Sequence, residues 1–173
     1  HQYDTASRTI TIDLSVEVVG PVLGDDYRFN AYVIQDSIYA DDFSGLDQTN
    51  YYSGLNGASG HPYFNEPDPV TDYYHLQTVI EALGGAWGEM GSLPATMTAG
   101  QTYDYTFTYV MPETKSILGN QQLPLIPQQT KLVGLIQRYE SNDVGRRYVM
   151  NAAAQDLDAP AIVGVADAFN AVS

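Results

Sequence analysis

The sequence predicts an all-β protein, an antiparallel β-sandwich of the immunoglobulin-like or jelly-roll type, and three observations point there. Apolar and polar residues alternate with a period of two in several separate stretches. Gly, Pro, Asn and Asp cluster between those stretches, where turns are needed. The 14 tyrosines, set against lysines only at Lys115 and Lys131, suit pleated, half-buried ribbons better than helices.

The alternation is strongest in residues 8–19. Ile10, Ile12, Leu14, Val16 and Val18 fall on one face, with Thr9, Thr11, Asp13, Ser15 and Glu17 on the other, which describes a half-buried strand. Gly20-Pro21 and Gly24-Asp25-Asp26 supply turn chemistry. A second strand follows in residues 27–36, with Tyr27, Phe29, Ala31 and Val33 opposite Arg28 and Asn30, and it is expected to pair antiparallel with the first. Residues 37–69 show no sustained period, and this long irregular stretch is where a binding surface is expected.

Residues 70–83 fit two readings. Val70, Tyr73, Leu76, Ile80 and Leu83 recur at helical spacing between Asp68-Pro69, a helix start, and Gly84-Gly85, a helix stop, so one short helix is possible. Leu76, Thr78, Ile80 and Ala82 also alternate as a strand would. Beyond them, residues 101–110 place Tyr103, Tyr105, Phe107 and Tyr109 on one face of a strand. Residues 131–140 read as a central apolar strand, joined through the loop 141–145 to residues 146–154 as a hairpin. The chain thus divides into an N-terminal tail (1–7), a sandwich domain (8–158) and a C-terminal tail (159–173).

Charge and composition remove several function classes. A net charge of −14 with 7 Lys and Arg makes phosphate backbones poor partners, so nucleic acid is excluded. No apolar run approaches the ~20 residues that cross a bilayer as a helix, so no transmembrane segment is expected. His1-Gln2-Tyr3-Asp4 is not a signal-peptide start, and the chain is expected to begin within or after something already removed. With no Cys there is no thiol nucleophile and no Cys-based zinc site.

Catalysis finds little footing. Ser59, in Gly57-Ala58-Ser59-Gly60, lacks the Gly-x-Ser-x-Gly elbow, and the internal histidines are His61 and His75 alone. Among 21 acids, carboxylate pairs arise by chance, mostly in turn contexts. The expectation is that the protein is not an enzyme. Two binding chemistries fit residues 37–87 better. Tyr51, Tyr52, Tyr63, Phe64 and Trp87 could stack on sugar rings. Asp41, Asp42, Asp47, Glu66, Asp68 and Asp72 are the oxygen donors that a calcium ion would need. In the C-terminal tail, Ile162, Val163, Val165, Phe169 and Val172 are apolar side chains suited to strand addition between copies.

Several segments, taken in order, resemble a known family. They are Tyr51-Tyr52-Ser53-Gly54, the run Tyr74-His75-Leu76-Gln77-Thr78-Val79-Ile80-Glu81-Ala82-Leu83-Gly84-Gly85-Ala86-Trp87-Gly88, residues 99–109, Leu132-Val133-Gly134-Leu135-Ile136 and Val149-Met150-Asn151-Ala152-Ala153. Together they resemble the C-terminal β-sandwich of the twenty-eight-kilodalton outer-membrane-protein-related family, over residues 8–157. The resemblance implies export to the outer membrane or beyond by type IX secretion. It also implies a thioredoxin-like domain upstream and a sorting domain downstream, neither of which lies in this sequence; residues 165–173 look like the run into such a sorting domain. Val79-Ile80-Glu81 stands where members carry an Arg, so any role of that Arg does not transfer. The family offers no catalytic residues to carry over.

These readings converge on a non-catalytic secreted or cell-surface protein, an adhesin or a structural subunit of an extracellular assembly, including a filament joined by strand exchange through the tails. Its expected partners are other copies of itself or another surface protein. The alternative is a carbohydrate-binding module, with or without calcium, using residues 37–87.

Overall fold

A computed structural model describes residues 1–158 except 44, 56 and 58, and every strand pairing in it is antiparallel. Among the described residues thirteen strands form, and the two larger sheets define the layers. Strands β1 (Gln2–Asp4), β2 (Thr9–Glu17) and β9 (Thr102–Val110) make one sheet in the order β1-β2-β9. Strands β4 (Asp26–Gln35), β7 (Thr78–Ala82), β12 (Thr130–Tyr139) and β13 (Tyr148–Asp156) make the other, in the order β13-β12-β4-β7. Short ribbons join or cap the layers: β3 (Val22–Leu23) with β8 (Thr96–Met97), β5 (Ile38–Tyr39) with β6 (Tyr74–His75), and β10 (Thr114–Ser116) with β11 (Gln122–Pro124).

The core is the space between the two sheets, filled by the alternating faces read from the sequence. Ile10, Ile12, Val16 and Val18 of the first sheet meet Tyr27, Phe29, Ala31, Val33, Leu132 and Ile136 of the second, all buried. Phe29 stacks on Tyr105 with ring centres 6.3 Å apart, and Tyr105 meets Phe107 edge to face at 4.8 Å. The sheets approach closely at Gly134, where any Cβ would run into the Leu14 side chain. A glycine inside a strand marks such a close approach.

Two expectations are corrected. The first two long strands do not pair with each other: β2 lies between β1 and β9, while β4 lies between β12 and β7. The chain crosses between layers after β2, and Gly20-Pro21 begins that crossing instead of a hairpin. The helical reading of residues 70–83 also fails, since they hold β6 and β7 and no α-helix forms among the described residues. Asp72 and Gln77 take positive φ (56° and 53°), which breaks any helix, and β-branched Thr78, Val79 and Ile80 fill the open edge of β4. Asp68 is not a helix cap; its Oδ1 accepts the Asn50 N–H.

Asn30 lies on the face of its strand opposite Phe29 and is fully buried. The loop after β7 folds over it. Its Nδ2 donates to the Gly85 carbonyl and to Gln137 Oε1, while its Oδ1 accepts the Ala31 and Gly84 N–H groups. Gly84 and Gly88 let the loop come this near, because a Cβ on Gly84 would sit 2.7 Å from the Glu89 nitrogen, and one on Gly88 2.7 Å from Arg28 Cβ. Gly88 also has a φ of +79°. Gly88→Ala is therefore expected to lose about 2–4 kcal/mol, combining left-handed strain with overpacking. Gly85→Ala carries a similar positive φ but meets open space, so it should lose only about 1 kcal/mol. Urea unfolding of the two variants checks the difference.

The N-terminal seven residues are not a free tail. Tyr3 lies opposite Ile10 in β1, and the turn back to β2 is closed by Asp4, whose carboxylate accepts the Ala6 N–H and the Ser7 hydroxyl. The Ser7 bond and then the Ala6 bond hold the Asp4 carboxyl below its usual range.

Candidate functional site

One edge of the first sheet is covered in part among the described residues. β1 covers β2 only over Thr9, Ile10 and Thr11, and among the described residues nothing pairs with the same edge of β2 over residues 12–17. Facing this gap from the other layer is β13, a nine-residue strand with no buried residue. Between them the core stands open in a cavity of about 80 Å³. It is lined by Leu14 and Val16 of β2, Phe29 of β4, Gly134 and Ile136 of β12, and Ala153 of β13. Ser15 and Asn151 add polar groups to an otherwise apolar lining.

The opposite side of the sandwich ends on the outer edges of β9 and β7. Lys115 reaches across it, its Nζ donating to the Ile80 carbonyl and pairing with Glu81 at 2.8 Å. Leu123 and Leu125, on and just after β11, are buried beneath. The lower end of the partly covered edge is marked by His1, whose ring bonds Gln155 Oε1 at 3.1 Å and the Leu157 carbonyl at 3.0 Å. At the far end Arg138, on the inner face two residues beyond Ile136, binds Asp25 and the Tyr148 hydroxyl. Those two hydrogen bonds, Tyr148 first, raise its pKa further, while its buried Nε finds no acceptor among the described residues.

The irregular region forms a second surface. Asn50 is buried and organises it, donating to the carbonyls of Tyr63, Glu66 and Pro67 and accepting the Tyr52 N–H. Tyr52 stacks on His61 with ring centres 4.0 Å apart, and Tyr51 and Tyr63 flank that pair at 5.8 Å from Tyr52 and His61 respectively. Tyr51 is 77% exposed. So Tyr51, Tyr52 and Tyr63 come together, with His61 added to them. Phe64 is half-buried in the same loop, its N–H bonded to the His61 carbonyl.

Trp87 lies elsewhere. It belongs to a ladder in which the Arg147 guanidinium sits 4.8 Å from the Trp87 ring centre and 4.7 Å from that of Tyr139, and the Arg28 guanidinium lies over the Tyr139 ring, 4.0 Å from its centre. Arg28 is held by Asp26, whose hydrogen bond raises its pKa.

The six acids are not gathered into one cluster. Asp68 accepts the Asn50 N–H and Asp72 the Tyr39 hydroxyl; Asp42, Asp47 and Glu66 are exposed, and Asp41 lies in a short 3-10 turn, Ala40–Asp42. Among the described residues no three His, Asp or Glu side chains stand close enough to hold a metal ion. Ile162, Val163, Val165, Phe169 and Val172 lie outside the described residues. No helix among the described residues is long and apolar enough to cross a membrane.

The residues beside the partly covered edge were missed by sequence reasoning, although two signals mark them. Gly134 interrupts an apolar strand, and Ala152-Ala153-Ala154 gives the last strand small side chains where a covered strand carries large ones. Comparison with models of known families, with curated proteins and with solved structures finds no match in any of the three.

Proposed function

We propose that this chain is a non-catalytic β-sandwich subunit that associates with copies of itself in an extracellular or cell-surface assembly, as a structural protein or adhesin. The observation that supports the reading is the edge of β2 with no strand paired to it over residues 12–17 among the described residues, beside a β13 that buries none of its side chains. Proteins ordinarily cover, charge or shorten such edges, because they template pairing with another chain. A side left apolar beside a coat of net charge −14 is suited to being covered by a partner. The resemblance to the outer-membrane-protein-related family supports an exported location within this reading.

Sedimentation velocity and negative-stain electron microscopy of the full chain, over a wide concentration range, test it. Concentration-dependent oligomers or filaments are the expected result. A monomer that persists at high concentration contradicts it.

A second reading is favoured by the Tyr51, Tyr52, His61 and Tyr63 stack, an exposed aromatic surface on a loop held rigid by Asn50. In that reading the chain binds carbohydrate by stacking. Glycan-array binding lost on Tyr51→Ala, with unchanged thermal stability, is the expected result, and silence across the array rejects it. If calcium takes part, chelation abolishes the same binding. The exposed Asp42, Asp47 and Glu66 are then the donors to test, since Asp68 and Asp72 are engaged within the protein.

A further inference from the structure

We infer that the outer edge of β9 pairs with the same edge of a second copy of this chain, antiparallel about a two-fold axis through Thr106, so that two three-stranded sheets join into one of six strands. This deepens the self-association reading and rests on it, adding a contact on the side of the first sheet away from β1.

Both the edge and its occupant lie within the described residues. β9 pairs with β2 over nine consecutive residues without a bulge, and among the described residues nothing pairs with its other side. The Met111 N–H donates to the Arg8 carbonyl and the Val18 N–H to the Gln101 carbonyl, which fixes the alternation between them. The odd-numbered residues of β9 bond β2, so Thr102, Asp104, Thr106, Thr108 and Val110 turn their N–H and C=O groups outward. The edge they form is about 30 Å long. Proteins ordinarily keep such edges from pairing by shortening them or by placing Lys, Pro or a bulge there. β9 has none of these, and its sole charged side chain is Asp104.

Register selects the occupant. In antiparallel pairing about Thr106, even-numbered residues meet even-numbered ones, so outward main-chain groups meet outward main-chain groups. Thr106 then faces Thr106 of the second copy, Asp104 faces Thr108 and Thr102 faces Val110. No acid opposes an acid, which matters between chains that each carry a net charge of −14. A register centred on Asp104 would set two carboxylates face to face.

The inner face fits the same register. Tyr103 comes opposite Tyr109, and Tyr105 opposite Phe107, as the pairs without mutual hydrogen bonds, whose side chains stand closest. Tyr103, Tyr105 and Tyr109 are only half-buried in the single chain, whereas Phe107 is buried. Aromatic cross-strand pairs are among those that stabilise a sheet, so the junction continues the core's aromatic row from one copy to the next.

The absence of Cys lets the register be read directly in the full chain. Facing residues of a hydrogen-bonded pair stand about 5.5 Å apart at Cα, within disulfide reach. Thr106→Cys, concentrated and mildly oxidised, is expected to give linked dimers at severalfold the yield of an Asn142→Cys control. Asp104→Cys and Thr108→Cys should each link poorly alone and well when mixed. Two further variants test the pairing without a cross-link. Thr106→Pro removes an N–H that points away from β2, and Thr106→Lys sets like charges face to face across the axis. Each should dimerise about thirtyfold more weakly by sedimentation, the equivalent of two main-chain hydrogen bonds. Thr106→Lys keeps every main-chain group of the parent, so it carries the test even where the proline variant fails to fold.

Three results overturn the inference: dimers of undiminished affinity in Thr106→Lys, Thr106→Cys links no more abundant than the control's, or Asp104→Cys linking to itself as readily as Thr106→Cys. Oligomers that persist alongside any of these leave self-association standing and reject this edge and register. A parent chain that stays monomeric at every concentration rejects both.

Discussion

Replacing Asn30 by leucine is expected to destabilise the protein by on the order of 4 kcal/mol. The side chain is of similar size, so little packing is lost. What is lost is the partner of four polar groups at once: the Ala31 and Gly84 N–H groups, the Gly85 carbonyl and Gln137 Oε1. Each buried group left unpaired costs about 1–3 kcal/mol, with those near the loop regaining water. The loss should be local in origin. Hydrogen exchange in Asn30→Leu should rise first at Gly84 and Glu89, whose N–H groups hold the loop to Asn30 and to the Phe29 carbonyl.

Asn30→Asp adds a pH test. Burial raises the carboxyl's pKa in the folded state above its unfolded value. The variant should therefore be most stable below the unfolded pKa and lose stability as pH rises through the folded one. A variant equally stable at pH 4 and pH 7 contradicts the buried network.

Phe29→Ala is expected to cost about 3–5 kcal/mol, the range for removing a buried aromatic side chain. Phe29 is 1% exposed, stacks on Tyr105 and lines the cavity beside β2, so its removal both deletes core contacts and enlarges a space already about 80 Å³. Denaturant unfolding of the two variants separates the effects. Phe29→Ala should lower the midpoint without freeing the loop, whereas Asn30→Leu should do both. Against a typical total of about 5–15 kcal/mol, either change removes a large share of the stability.

The contrast between these neighbours explains what the sequence made legible. Phe29 sits in a period-two apolar face, and such faces announce themselves: the inward sets of β2, β4 and β9 follow from alternation. Asn30 carries the opposite phase and reads as solvent-facing. It is buried because the loop at Gly84–Gly88 returns over it, a contact between residues more than fifty apart that alternation does not encode. Which strands pair was hidden for a similar reason. Period two says that a strand has a covered face and says nothing of its neighbour, so β2 and β4, the first two long strands in the chain, ended in different layers.

The candidate site was legible in part. The cluster of tyrosines after residue 50 could be read directly, while its union with His61 and its separation from Trp87 depend on loop geometry. The partly covered edge of β2 left only the small residues of β13 and Gly134 as traces. An unpaired edge is a property of topology, and no single residue specifies it.

The most direct measurement is hydrogen exchange of β2 at rising concentration of the full chain, read beside sedimentation. If association covers this edge, exchange at residues 12–17 slows in step with oligomer formation, while the Thr9–Thr11 stretch, already paired with β1, changes little. Oligomers that form with residues 12–17 still exchanging freely would contradict the claim that copies join at the edge of β2.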